Sequence, residues 1–443
     1  MTTIGTTAIP SDQITVIGGG TTSVSAAFES TVGMVGGMDT SNGTANTGEV
    51  TQVRTPTDAE DAFGQDSELA NAATLAIQNG ASLVYAYPVE ETTVSAETQS
   101  AQDGTLDNVP FDPRVNPEHS ISVSDSGGGS VDVSLVDSPP SSAPSEADTV
   151  EVYPPTGEYY ADAAPSGSNY EFSYDYGDYS TSALAAVVDE SPRIVVALSE
   201  TPSVISDLDA EVGSNETNFD LMHALGGGEV GVSSDTANAS TPVTSDRMSV
   251  LGPSRGYLDA AETEQARTTA AVAGELAGIP LGLSSTNNSI AGFQSLVSPL
   301  SGPVDAGELI DNGFMPLLDY GGNDGVVIVK DMTTSDEPKF ERVYSNQITD
   351  EVVTLLHEIA RDYVGEPNTD GERANLRRSV RNMLNGLEGS TPPLLDDSVA
   401  SVSQSDSDDN AVDVTIGISP VGVMDTIKAT VVVGDIVRNE GTA

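Results

Sequence analysis

The sequence predicts a multidomain protein of mixed α+β and α/β character, with a β-rich module inserted into an α/β core and a strand-like arm at either end. Three observations carry that prediction. Apolar strand-like runs alternate with helix-patterned segments on both sides of a central stretch. Composition turns abruptly to Ser, Pro, Gly and Tyr near Glu90 and recovers near Ala183. Short β-rich segments stand close to the two ends of the chain. The 443 residues are 37% hydrophobic, enough for a core, and at roughly 150 residues per domain they predict two to four domains.

Taken in order, Gln13, Ile14, Thr15, Val16 and Ile17 alternate as a short strand that Gly18-Gly19-Gly20 breaks, so 1–22 are expected to form an arm. Residues 31–35 and 49–53 read as strands. Thr57 with Glu60 three positions on reads as a helix start, 67–78 as a second helix ended by Asn79-Gly80, and 82–88 as an apolar strand. Inside the insertion, 121–124, Gly127-Gly128-Gly129 and 131–135 spell a β-hairpin. Seven of the thirteen tyrosines fall between Tyr153 and Tyr179, where their rings either pack a small β-module or form a contact surface. Beyond it, 193–198 and 245–251 read as strands, 262–277 as an Ala-rich helix stopped by Gly278 and Pro280, 307–312 as a short helix and 325–330 as a strand. Residues 350–364 and 371–387 are amphipathic helices. An acidic loop over 396–409 leads to a strand at 412–418, and Thr426, Ile427, Lys428, Ala429, Thr430, Val431, Val432 and Val433 form the last strand. The expected division is 1–22, 23–90, 91–183, 184–330 and 331–443, with 23–90 and 184–330 as two parts of one α/β domain.

The formal charge of −52, from 68 acids against 16 Lys plus Arg, is spread through the whole chain. Molar salt shortens the Debye length to about 3 Å, so such a density is tolerable in a high-salt cell, and a haloarchaeal source is expected. Nucleic-acid binding is disfavoured, because phosphate neutralisation needs basic stripes. The chain shows no run of ~18 apolar residues for a membrane span and no signal-like start, so a soluble, unprocessed protein without membrane insertion is expected. With no cysteine, disulfides, thiolate metal sites and cysteine nucleophiles are excluded.

Gly226-Gly227-Gly228-Glu229-Val230-Gly231 fits the dinucleotide-binding glycine spacing, but the segment before it reads as a helix ending at Leu225, whereas that turn must follow a strand. His119, His223 and His357 have no partner histidine at metal-ligand spacing and read as helix-surface residues. No G-x-S-x-G elbow anchors a nucleophile. No catalytic, cofactor or metal residue is therefore assigned. One cluster does stand out: Arg373, Arg377, Arg378 and Arg381 lie within nine residues of one helix. At 100° per residue Arg373, Arg377 and Arg381 form a row beside the apolar stripe, able to face a partner or to pair with acids of the same helix.

The order of elements resembles the tail sheath proteins of contractile phage tails and related injection machines. The resemblance runs through Val50, Val53, Asp58-Ala59-Glu60, Phe63-Gly64, Leu69-Ala70, Asn79-Gly80-Ala81 and Val84-Tyr85-Ala86. It continues with the helix at 262–277, residues 309–314, 325–329 and Thr333-Thr334, the helix pair, and 414–421. The start lacks the family's Pro-Gly-Val opening, and Gly422-Val423-Met424-Asp425 replaces its second proline and Glu-Phe. What the resemblance implies is a sheath-like core, no enzymatic activity and no cofactor. It implies a six-fold helical homo-oligomer around an inner tail tube protein, with baseplate and tail terminator proteins as further partners. In that frame 23–90 and 184–330 are the outer α/β domain, 91–183 the variable insertion and 331–443 the tube-facing domain. The strands at 13–17 and 426–433 would complete neighbours' sheets, and the arginine row would meet the tube. The expected place is a virion tail assembled in the host cytoplasm, or a cytoplasmic injection system. The rival classes are a halophilic hydrolase or dehydrogenase with the Tyr-rich insertion as lid, and a surface-layer-like structural protein.

Overall fold

The computed structural model describes residues 30–215, 221–228, 236, 239–321, 325–405 and 410–422. The arm segments 13–17 and 426–433 lie outside the described residues, as do 229–231 of the glycine-rich stretch.

The chain opens with strands β1 (Thr31–Gly36) and β2 (Thr51–Val53), helices α1 (Pro56–Phe63) and α2 (Glu68–Gln78), and strand β3 (Leu83–Pro88). Seven strands follow without a helix between them: β4 (Glu91–Gln99), β5 (Asp103–Thr105), β6 (Ser122–Asp125), β7 (Ser130–Leu135), β8 (Thr149–Tyr153), β9 (Glu158–Ala161) and β10 (Tyr170–Gly177). Alternation then resumes with α3 (Thr181–Val188), β11 (Ile194–Ala197), α4 (Pro202–Asn215), β12 (His223–Gly227) and β13 (Met248–Gly252). Next come β14 (Arg255–Tyr257), β15 (Gln265–Arg267), α5 (Thr268–Gly278), β16 (Ser289–Ile290), β17 (Ser295–Leu296), α6 (Pro303–Asp311), β18 (Phe314–Asp319) and β19 (Val326–Ile328). Two long helices, α7 (Val343–Tyr363) and α8 (Asp370–Glu388), and strands β20 (Leu395–Gln404) and β21 (Val412–Pro420) complete it.

A nine-stranded sheet runs β16-β19-β18-β13-β12-β11-β1-β3-β2. The six strands from β18 to β3 are parallel, and β19, β16 and β2 are added antiparallel at the edges. Parallel strands covered on both faces read as continuous apolar runs, and β1, β11 and β13 are buried at every residue. Val32, Met34, Ile194 and Val196 point into a core shared with α1, α2 and α5. Val35, Val195 and Ala197 point the other way, into a core shared with α3, α4 and α6. Small residues set the distance between α2 and α5: a Cβ on Gly274 would lie 2.2 Å from the Ala76 carbonyl oxygen.

The seven strands of 91–177 form their own sheet, β4-β10-β6-β7-β8-β9-β5, with the expected hairpin at β6 and β7. Tyr159, Tyr170, Tyr174 and Phe172 fill its core. The Tyr170 hydroxyl donates to the Ala163 carbonyl at 2.7 Å and that of Tyr174 to Glu97, so these rings pack while their hydroxyls are satisfied at the margin. A third core joins α7, α8, β20 and β21, a two-stranded antiparallel sheet.

Several sequence expectations need correction. The first helix is capped by Thr55, whose side chain accepts from the Asp58 amide while the Asp58 carboxylate accepts from the Thr55 amide; Thr57 lies inside the helix. Residues 262–267 are not helical: Asp259 accepts from Thr263 and Glu264 amides, Glu262 has φ +57°, and β15 precedes α5. The helix expected at 307–312 begins at Pro303, and the one expected at 350–364 begins at Val343, where Val343, Tyr344, Asn346, Gln347 and Ile348 are all buried. Much of the expected acidic loop is strand β20. The segment before the glycine stretch is strand β12, not a helix.

Candidate functional sites: an arginine row and a buried arginine network

Helix α8 is started by Thr369, whose side chain accepts from the Glu372 amide at 3.2 Å. Its buried stripe of Leu376, Val380, Met383, Leu384 and Leu387 packs into the third core, which fixes the rotation of the helix. That rotation leaves Arg377, Arg378 and Arg381 exposed and Arg373 half-buried along one flank. Arg373 is tied to its own N-terminus, donating to Asn368 Oδ1 at 2.5 Å and pairing with Asp370. Arg377 donates to the Val402 carbonyl and Arg381 to the Ser398 carbonyl at 3.0 Å, both on β20. Arg378 reaches Asn375 at 3.5 Å. A guanidinium has five N–H donors, so Arg377 and Arg381 are anchored to backbone carbonyls and retain donors for a partner. The expected pairing within the helix holds for Arg373 alone.

A second concentration of arginine was not legible in the sequence. At the carboxyl ends of β1, β11 and β13, Arg255 and Arg267 are 5% and 7% exposed. Arg267 Nε donates to Glu68 at 3.0 Å, and its terminal nitrogen lies 2.9 Å from Glu200. Arg255 reaches Glu200 at 3.2 Å, Asp112 at 3.4 Å and Asp137 at 2.7 Å. Arg114 forks both oxygens of Asp112 at 2.8 Å and reaches Asp137 at 2.6 Å. The Gly37 amide adds a bond to Glu68 at 3.2 Å. Burial works against the charge of Asp112, yet its Arg114 hydrogen bonds and the nearby Arg255 charge hold its carboxyl down to about 2. For Glu68 burial wins, and its carboxyl is raised despite Arg267. Asp112, Arg114 and Asp137 come from the β4–β10 region, whereas Glu68 opens α2, Glu200 follows β11, and Arg255 and Arg267 lie on β14 and β15 of a small three-stranded sheet, β15-β14-β17, beside the nine-stranded one. The network therefore pins one region to the other. Its residues are 2 to 199 positions apart in the chain, so no local pattern announces it.

This is also where open parallel sheets hold ligands. A cleft of about 290 Å³ adjoins the network, lined by Pro110, Phe111, Tyr179, Glu200, Val204 and Arg267 among others. Glu68, Asp112, Glu200 and Arg267 on its wall are engaged in the network, which is the chemistry of a clamp. The glycine stretch is explained by packing: a Cβ on Gly226, Gly227 or Gly228 would lie within 2.9 Å of Ile205, Ser254 or Phe314 respectively. Two of the three histidines depart from the helix-surface reading. His223 is buried in β12, with Nε2 2.8 Å from Ser249 Oγ, and burial followed by the Arg247 charge pushes it down to about 3. His119 is buried against Phe111. Only His357 lies on a helix, half-buried on α7. Among the described residues no group of three or more His, Cys, Asp or Glu could hold a metal ion, and no helix is long and apolar enough to cross a membrane.

No family model matches the chain, and no curated protein matches it. Solved structures do. A chain of the anti-feeding prophage baseplate, six-fold symmetrised, matches with TM-score 0.58 and 14% identity, covering 97% of this chain and 99% of that one. The anti-feeding prophage helical sheath in its contracted state matches with TM-score 0.57 and 12% identity over 92% and 94% of the two chains. The sheath tail protein from Listeria innocua gives 0.55 and 13% over 90% and 93%. At such identities the likeness is one of fold: this chain is folded like contractile-sheath proteins over nearly its whole length.

Proposed function

We propose that this chain is the repeating subunit of a contractile sheath, polymerised as a six-fold helical sleeve around an inner tube and shortening to drive that tube through a cell envelope. The observation that carries the reading is the end-to-end likeness of fold, over at least 90% of this chain in four solved structures. Within it, 1–22 act as the N-terminal arm, 23–90 and 184–330 as the outer α/β domain, 91–183 as the variable insertion and 331–443 as the tube-facing domain with its own arm strand. Strand addition by 13–17 and 426–433 links subunits through main-chain hydrogen bonds. Arg373, Arg377 and Arg381, flanked by Arg378, face the tube, whose acidic groups would complement them. Baseplate and terminator proteins bound the sleeve at its ends. The high acid content supports a haloarchaeal, high-salt setting for the machine, as a virion tail assembled in the cytoplasm or as a cellular injection system. Electron microscopy of the purified protein from multi-molar salt down to about 0.1 M tests this. Striated cylinders or six-fold rings at high salt, lost on dilution, are expected; an unchanged monomer throughout the range would overturn it.

A further inference from the structure

Beside the joint between the two large sheets, a histidine nitrogen and a facing carboxylate oxygen are buried with no hydrogen-bond partner. His119 lies in the segment between β5 and β6, its ring stacked on Phe111 with centroids 4.4 Å apart and planes 16° from parallel. Nδ1 is 3.3 Å from Asp175 Oδ2 on β10. Nε2 is 3.7 Å from Glu91 Oε1 on β4 and 3.7 Å from Glu118 Oε1. Nε2 and Glu91 Oε1 are both buried without a hydrogen-bond partner. Asp39, in the loop after β1, faces the same space and acts on His119, Glu91 and Glu118 alike, and Glu68 of α2 acts on Glu118.

A neutral imidazole has one N–H and one lone pair. If Nδ1 carries the hydrogen, it donates to Asp175, and the Nε2 lone pair then faces two carboxylate oxygens. If Nε2 carries it, the lone pair on Nδ1 faces Asp175 instead. Either tautomer sets a lone pair against a carboxylate in a buried place, and a single additional proton removes the conflict. We propose that this place is a proton-binding latch: one proton shared between His119 Nε2 and the facing Glu91 and Glu118 holds the 106–121 segment, whose Phe111 packs into a core of the nine-stranded sheet, against the base of β4 and β10, and its loss loosens the contact.

The direction of the response follows from the same groups. Glu91 is pushed up to about 7 by burial, then by Asp175 and Asp39. Glu118 is also pushed up to about 7, by burial and by Glu68, Asp39 and Glu91 against a backbone hydrogen bond. His119 is pushed down by burial, with Asp175 opposing. The proton therefore rests on a glutamic acid, whose neutral carboxyl replaces a carboxylate 3.7 Å from Nε2. A carboxyl raised in the folded protein contributes stability that is complete below its ordinary value near 4.5 and is lost as pH rises through about 7. Above about 6.5 the imidazole is neutral whether the joint is closed or open, so it adds little in that range. The latch is closed in mild acid and open in mild alkali.

Glu91 opens β4 and Asp175 lies near the end of β10, beside the points where 91–177 joins the rest of the chain. A change there alters the seating of the whole seven-stranded sheet. The test is amide hydrogen exchange of the full chain in molar salt at pH 6 and 8.5, corrected for the intrinsic pH dependence of exchange. Peptides spanning 89–97 and 172–180 should exchange at least about tenfold faster at pH 8.5, the ratio that one pH unit of proton loss gives, while β11 is unchanged. In the double variant Glu91→Gln and Glu118→Gln, an amide N–H faces Nε2 at every pH, and both peptides should stay slow. Equal protection of the parent at the two pH values, or a full pH response in the double variant, overturns the proposal. If the double variant fails to fold, the carbon-13 shifts of His119, assigned with His223→Gln and His357→Gln, decide the matter: a step near pH 7 supports the latch and a flat profile rejects it.

Discussion

Arg255 and Arg267 sit in the seam between two sheets, 5% and 7% exposed and surrounded by carboxylates, whereas Arg377 and Arg381 lie on an exposed helix flank and bond to backbone carbonyls of β20. The chain has thirteen arginines among 84 charged residues, so where they go is informative. In the seam, removal of charge from water is costly and is repaid only by several partners in good geometry. Screening by salt scarcely reaches there. On the flank, salt screens each contact and the net contribution is small. One residue type is thus locked into a buried clamp in one place and left on an exposed flank in another, and the two should respond differently to the same substitution.

The largest expected effect is in the seam. Arg267→Met leaves Glu68 and Glu200 buried without this partner and should destabilise the protein by about 3 to 5 kcal/mol in denaturant unfolding at molar salt. Raising the salt further should not recover it. A loss under about 1 kcal/mol would place the seam with the exposed pairs and dissolve the distinction.

A smaller contrast uses one substitution at two glycines. Gly274→Ala on α5 brings a Cβ to 2.2 Å from the Ala76 carbonyl, a backbone atom that cannot swing aside. Forcing α2 and α5 apart should cost about 1 to 3 kcal/mol. Gly386→Ala on α8 meets nothing within 4 Å and replaces the weaker helix former, so it should stabilise by roughly 0.5 to 1 kcal/mol. Thermal unfolding of the two variants should move in opposite directions. The same sign for both would mean that α8 is packed as tightly as α5.

The difference between the regions also explains what the sequence made legible. Strands β1, β3 and β11 and helix α2 were readable because burial on both faces, or a clean cap and stop such as Ser67 and Asn79-Gly80, leaves a local pattern. The row on α8 was readable because its members repeat every four residues on one helix. Strand β20 was not: it buries only Leu395, Ser398 and Val402, a bulge between Leu395 and Asp397 breaks its alternation, and Asp396 and Asp397 face solvent. The start of α5 was misread because Glu262 and Glu264 favour helices, while Asp259 captures their turn. The seam is a product of topology alone, since parallel strands distant in sequence bring their carboxyl ends together. His119 escaped for the same reason, its carboxylates arriving from four separate segments.

The smallest effect on stability, and the one that bears most on function, is expected at the row. Arg377 and Arg381 are exposed and each spends one hydrogen bond on a strand carbonyl, so replacing both should change unfolding by only about 0 to 1 kcal/mol per residue. Anchoring to the backbone still matters for binding, because a guanidinium held in place loses less freedom when it meets a partner's carboxylate. A single such contact in molar salt is weak. In the sleeve proposed above, weak contacts repeated on every subunit would add to a firm grip and could still release together. Substituting Arg373, Arg377 and Arg381 by Glu should therefore leave folding and polymerisation intact while abolishing co-assembly with tubes of the same source, read by electron microscopy and by co-sedimentation. Tubes coated normally by the triple variant would return the row to an ordinary solvated helix face whose two carbonyl contacts serve only to cover the edge of β20. Loss of folding would instead move the row into the same class as the seam.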